Sequence, residues 1–189
     1  MIVIKIGGSV YSDVNSTFLD ELKELLKQDN LVLVHGGGDK VTEIADKLGK
    51  RQEFIVSPEG IRSRYTDKET AEIYTMVMAG KINKEIVSNL IKNGIKALGL
   101  SGVDGELIKA ERKKKLVIVD ERGKRRIIDG GYTGKIIKVN SDLIEFLISK
   151  GFLPVISPVA LSEEYEFLNV DGDRACLLYT SPSPRDRQK

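Results

Sequence analysis

The chain has 189 residues, 41% of them hydrophobic and 31% charged, with a formal net charge of +2. That length suffices for one sizeable core and forces no second domain, and the near-neutral balance excludes a chain-wide polyanion binder. No apolar run approaches the roughly 18 residues that span a bilayer, and the short charged N-terminus is unlike a signal peptide. One cysteine, Cys176, excludes an internal disulfide framework and a thiolate zinc cluster. A cytoplasmic protein is expected.

The first element predicted is a strand over residues 1–6, apolar except for Lys5 on a side expected to be buried, running into Gly7-Gly8. A lysine in such a strand is costly unless something negative meets it, and a phosphate is the obvious candidate. The competing reading is a plain tight turn with a lysine that snorkels to water. A helix follows over 17–27, with Leu19, Leu22, Leu25 and Leu26 on one face, and then a strand, Leu31–Val34. That strand ends in His35-Gly36-Gly37-Gly38 and leads into an amphipathic stretch from Asp39 to Leu48. In a parallel sheet two such glycine turns share the carboxyl edge, where backbone N–H groups and a helix N-terminus meet an anion. His35, the only histidine, reads as a residue that holds the turn rather than as an acid or base.

Apolar residues at helical spacing predict a long helix over 67–92, a buried strand over 95–100 and a turn at 101–105. Four short β-like runs follow, at 107–110, 116–119, 126–128 and 135–139, separated by glycine-containing turns. They read as an inserted antiparallel hairpin region. A helix over 141–150 and a strand over 153–157 complete an alternation that implies a three-layer α/β sandwich with a mainly parallel sheet.

Four spaced motifs carry a resemblance: Lys5-x-Gly7-Gly8, His35-Gly36-Gly37-Gly38, Gly60-Ile61-Arg62-Ser63-Arg64-Tyr65-Thr66-Asp67, and Asn169-Val170-Asp171-Gly172-Asp173. Their order resembles the amino acid kinase family over residues 1 to about 175. Within it the likeness is to N-acetylglutamate kinases and, more closely, to archaeal kinases of lysine and arginine biosynthesis. Those phosphorylate the side-chain carboxylate of 2-aminoadipate or glutamate borne on an acidic amino-group carrier protein. The resemblance implies ATP with Mg²⁺ as phosphoryl source and a homodimer for the full-length parent, for which the helices over 16–27 and 67–92 are candidate contacts; the composition adds the expectation of no nucleic acid or membrane partner.

By position, the resemblance makes Lys5 the group on the transferring phosphoryl and Asp173 its orienting partner. Gly37 and Gly38 would hold substrate or phosphoryl oxygens, and Gly7 and Gly8 the nucleotide phosphates. Arg64 would pair bidentately with a substrate carboxylate, and Asn169 would help bind it. No metal-ligating residue is implied. The chemistry agrees, because the acceptor is already ionised at neutral pH and the difficulty lies in joining two anions. Two readings stay open beside this one: Arg64 as a solvated ion pair with Asp67, and Asp171 with Asp173 as a helix-capping pair.

The basic runs at 111–115 and 122–126 suit an acidic macromolecular substrate or are simply a solvated face, and no interleaved aromatics make a nucleic-acid platform. Serine, proline and arginine dominate residues 176–189, which are expected to be a non-native, disordered tail. Residues 1–175 are then the N-terminal, substrate-binding portion of a domain of roughly 250 residues, with the second catalytic lysine beyond it. Such a portion alone is expected to have little or no activity. The alternatives are an N-acetylglutamate kinase acting on the free acid and a non-catalytic module that binds the acidic carrier.

Overall fold

The computed structural model describes residues 1–8 and 16–180. In chain order its elements begin with β1 (Ile2–Ile6), α1 (Ser16–Gln28), β2 (Leu31–His35), α2 (Gly38–Lys47), β3 (Phe54–Val56), β4 (Arg62–Arg64), α3 (Lys68–Thr75), a π-helical segment (Met76–Ile82) and α4 (Asn83–Lys92). Then come β5 (Ala97–Ser101), β6 (Ile108–Arg112), β7 (Lys115–Val119), β8 (Arg125–Asp129), β9 (Gly134–Val139), α5 (Ser141–Ser149), β10 (Leu153–Ser157), β11 (Val159–Leu161), β12 (Phe167–Asn169) and α6 (Gly172–Thr180).

The central sheet is parallel throughout, in the order β1-β2-β10-β5. Every residue of β2 is buried, because side chains alternate between two covered faces. Leu31 and Leu33 pack with Leu22, Val41, Ile73, Met78, Ile86 and Leu90 from α1 to α4. Val32 and Val34 face the other way, toward Leu107, Ile108, Ile144, Leu168 and Ala175. Helices thus cover one face, and α5, α6 and a second sheet cover the other, giving the three-layer α/β class that the periodicity implies.

The inserted region divides differently from the expected four-run meander. β6 and β9 pair antiparallel and join β11 and β12 in a sheet ordered β12-β11-β6-β9, and only β7–β8 projects as a hairpin. Burial decides this: Ile108 and Ala110 are fully enclosed, whereas Val117 and Ile127 of the hairpin are 46% and 67% exposed. The β3–β4 hairpin was unforeseen, since three-residue strands as polar as Arg62-Ser63-Arg64 show no period-2 hydrophobic pattern. The long helix forms as α3, the π-helical segment and α4 in succession. The tail expected from residue 176 is described only to Thr180, as the continuation of α6; the remainder lies outside the described residues.

Asp67 starts the long helix. Its Oδ1 accepts the Thr70 amide at 2.7 Å and its Oδ2 meets Lys50 Nζ at 2.6 Å. Asp67→Ala is expected to lower stability by about 1–2 kcal/mol, read from urea unfolding midpoints.

Candidate active site

Two strands of the parallel sheet end in glycine turns that touch. The Gly36 amide donates to Ile6 O at 2.8 Å, extending the β1–β2 ladder one step past the strands. A Cβ on Gly8 would lie 2.7 Å from Gly37 N, so the two loops approach backbone to backbone, as close packing around a phosphate requires. Gly37 has φ 154°, and a Cβ there would sit 2.1 Å from Ile82 Cδ1 and 3.1 Å from Met78 Sδ. Gly37 is also the N-cap of α2 and offers no side-chain cap, which leaves the first-turn amides and the positive helix end open to an anion. Gly37→Ala is expected to cost about 1–3 kcal/mol of stability through this overpacking, measurable by denaturant unfolding.

Lys5 follows the alternation of β1 onto the α6 side of the sheet, where Nζ meets Asp173 Oδ1 at 2.5 Å. Its side chain is 39% exposed, not buried as the apolar strand suggested, because β1 lies at the end of the described sheet order and Lys5 near its carboxyl end. So exposed a pair contributes little to stability, and its consequence is the placement of the ammonium group. The two aspartates divide the roles that the sequence left open. Asp171 Oδ1 accepts from the amides of Asp173 at 2.8 Å and Arg174 at 3.4 Å, capping α6, and Asp173 holds Lys5.

Between these loops and the β3–β4 hairpin lies a cleft of about 310 Å³, lined among others by Lys5, Gly37, Gly38, Arg64, Tyr74 and Asn169. Arg64 is not the solvated partner of Asp67. Its Nη2 donates to Gly38 O at 2.6 Å and Thr42 Oγ1 at 2.9 Å, and its Nη1 donates to Gln52. Half burial pushes its pKa below the ordinary guanidinium value. Its fork ties the hairpin to the start of α2, and pairing with a carboxylate requires exchanging some of these bonds. Arg62 stacks on Phe54 at 3.8 Å from the ring centre on the same wall. Asn169 Nδ2 donates to Thr66 Oγ1 at 3.1 Å, and Thr66 is itself fully buried.

A larger groove, about 1140 Å³, lies at the opposite edge of the sheet among Leu25, Leu31, Ile95 and Phe152. There α1, α4 and α5 end and strands begin, and the negative ends of helices do not attract phosphates.

Beneath the glycine loop sits a polar network of which the motifs mark only His35, expected to hold the turn, and not its partners Asn83 and Lys84. His35 is buried, with Nδ1 3.0 Å from Gly36 O and Nε2 3.2 Å from Asn83 Nδ2. Asn83 Nδ2 also donates to Val155 O at 2.9 Å, and Lys84 Nζ reaches Asn83 Oδ1 and Gly99 O, each at 3.1 Å. Burial, with Lys84 adding to it, pushes the His35 pKa down to about 4. The signal was present: Asn83 interrupts the apolar stripe that Ile82, Ile86 and Leu90 otherwise continue.

The description of the amino acid kinase family fits residues 1–180. A Nitrosopumilus maritimus relative is 59% identical over 175 residues, 93% of this chain and 66% of its own length. A Metallosphaera sedula protein named LysW-aminoadipate/LysW-glutamate kinase is 53% identical over 175 residues, 92% of this chain and 66% of that one. This chain therefore spans about two thirds of the length of the curated relatives it matches. Among solved structures, that of smu.665 from Streptococcus mutans superposes with a TM-score of 0.75 at 22% identity, covering 91% of this chain and 64% of that one, which shows a shared fold. With its glycine loops, its lysine and its sheet order in place, the chain belongs to the amino acid kinase family.

Proposed function

We propose that this chain is the substrate- and phosphoryl-binding portion of a kinase of lysine and arginine biosynthesis. The reaction is transfer of the γ-phosphoryl group of ATP to the side-chain carboxylate of 2-aminoadipate or glutamate carried on an acidic amino-group carrier protein. The observation that carries this reading is one cleft in which Lys5, the Gly36–Gly38 loop and the N-terminus of α2 converge, opposite Arg62 and Arg64. Relatives 50% and 53% identical to it bear the name LysW-aminoadipate/LysW-glutamate kinase.

Joining a carboxylate to a phosphoryl group brings two anions together, and the residues present lower that repulsion. Lys5, turned by Asp173, would neutralise charge on the transferring group. The Gly37 and Gly38 amides, with the positive end of α2, would hold its oxygens, and Gly7 and Gly8 would admit the nucleotide phosphates closely. Arg64 and Asn169 would bind the acceptor. ATP phosphates fit this cradle, whose backbone approach any Cβ at Gly8 or Gly37 would fill. Among the described residues no group of three carboxylate, histidine or cysteine side chains is placed to hold a metal ion.

The carrier component draws on the basic hairpin. β7 packs beside β3, and the field of Arg125 reaches Glu59 in the β3–β4 turn, so the basic hairpin adjoins the hairpin that forms one wall of the cleft. At low ionic strength, Lys124→Glu with Arg125→Glu is expected to raise KM for a carrier-linked acceptor about tenfold and leave that for a free acceptor unchanged. Equal KM values would remove the hairpin from carrier recognition.

The deciding assay is ATP-dependent acyl-phosphate formation, trapped with hydroxylamine, on carrier-linked aminoadipate, carrier-linked glutamate and free N-acetylglutamate. It is run on this chain and on this chain joined to the remaining third of the Metallosphaera sedula relative. Turnover of a carrier-linked acceptor supports the reading. Turnover of only the free acid replaces it with N-acetylglutamate kinase, and salt-sensitive carrier binding without turnover in either version replaces it with a binding module.

A further inference from the structure

The network under the glycine loop is determined link by link by donor and acceptor chemistry. Lysine can only donate, so the Asn83 atom 3.1 Å from Lys84 Nζ is the carbonyl Oδ1. The Asn83 amide nitrogen then faces Val155 O at 2.9 Å, His35 Nε2 at 3.2 Å and, at the longest distance, Leu100 O at 3.4 Å, and because that nitrogen can only donate, the ring atom facing it is unprotonated. The imidazole proton is thereby assigned to Nδ1, where Gly36 O, an acceptor only, lies 3.0 Å away. In a trans peptide the C=O and N–H point in opposite directions. Tying Gly36 O inward to His35 turns the Gly37 N–H outward, toward Gly8 and the cleft, and no acceptor among the described residues pairs with it. Room for Asn83 is specific as well: a Cβ on Gly99 would stand 2.0 Å from its Oδ1.

We infer that Asn83 is a positioning residue which, anchored by Lys84, locks His35 in its Nδ1–H tautomer so that the Gly37 amide is presented to the cleft as a fixed donor for a phosphoryl oxygen. This rests on the phosphoryl-transfer reading for the identity of the oxygen. Asn83 touches no substrate; it acts through the imidazole and the Gly36–Gly37 peptide. Lys84 is the charged group that acts on the imidazole, and its ammonium disfavours a second ring proton.

Because His35 is the only histidine, one-residue ¹⁵N NMR of the ring reads the lock directly. This chain is expected to show the Nδ1–H tautomer alone from pH 5.5 to 8, and its Gly37 amide resonance is expected to move on addition of inorganic phosphate. Asn83→Ala should mix the tautomers, bring the ring pKa toward 6.5 and abolish most of the Gly37 response. In the active version it should lower kcat about tenfold with KM for the acceptor within about twofold. Lys84→Met, a change at a partly exposed side chain, provides the same tautomer reading should Asn83→Ala fail to fold. An Nε2–H tautomer in the unmodified chain, or variants that leave tautomer and Gly37 response unaltered, would overturn the inference. If lock and phosphate response are present but no acyl phosphate forms with any acceptor, the inference stands and the kinase reading falls.

Discussion

Lys5→Met is expected to lower kcat for acyl-phosphate formation by about 10²–10³-fold, the loss typical when one group aimed at developing charge is removed. The side chain is well suited to that role and poorly suited to a structural one. It is 39% exposed, it stands beside two glycine loops, and its partner Asp173 is 69% exposed, so removing the pair should change stability by no more than about 1 kcal/mol. Single-turnover kinetics beside a urea melt separates the two effects. Asp173→Asn should fall between wild type and Lys5→Met, because it keeps the ammonium but releases it from its 2.5 Å tether. A Lys5→Met protein that unfolds, or one that keeps its kcat, would contradict the assignment from opposite directions.

The second large effect is on stability and comes from His35. Burial holds its folded-state pKa near 4 against an ordinary value of 6.5. Between those pH values the unfolded chain binds a proton that the folded chain refuses. The contribution is therefore neutral above pH 6.5, erodes as pH falls toward 4 and levels off below, for a total of about 3 kcal/mol. Carboxylates titrate in the same range, so the quantity to measure is the difference between wild type and His35→Gln in unfolding free energy at pH 7.5 and at pH 4.5. Wild type should lose about 2–3 kcal/mol more than the variant over that interval. Equal losses would mean that the imidazole is protonated in the folded protein and that the tautomer lock does not exist as described.

The division between what was legible in the sequence and what was not follows the range of each interaction. Periodicity located the parallel strands and most helices, because burial on one face of a helix or both faces of a strand leaves a pattern within ten or so residues. It missed β3–β4 and β11–β12, whose three-residue strands are too short to show a period and are stabilised by neighbours far away in the chain. It also merged β6 and β9 with the hairpin between them, since pairing partners are chosen by which runs reach the core.

The candidate site divides the same way. Gly37 and Lys5 stand out in the sequence because a lysine inside an apolar strand and consecutive glycines after a strand each make local chemical demands. Spacing reads Asp173 only as one of a capping pair. Asp173 as the partner of Lys5, 168 residues away, is what the family resemblance implies, and the packing of α6 against β1 brings the two together. Arg64 was legible as a cation, but its engagement with Gly38, Thr42 and Gln52 depends on how the β3–β4 hairpin folds over α2. Asn83 and His35 lie 48 residues apart and meet because β2 and α4 pack through one core. The sequence by itself therefore determined the fold class, the glycine loops and the chemical character of the cleft, since those follow from local composition and spacing. Tertiary structure alone decided the engagement of Arg64 with the start of α2 and the contact of Asn83 with the buried imidazole, since those depend on distances that no local pattern encodes.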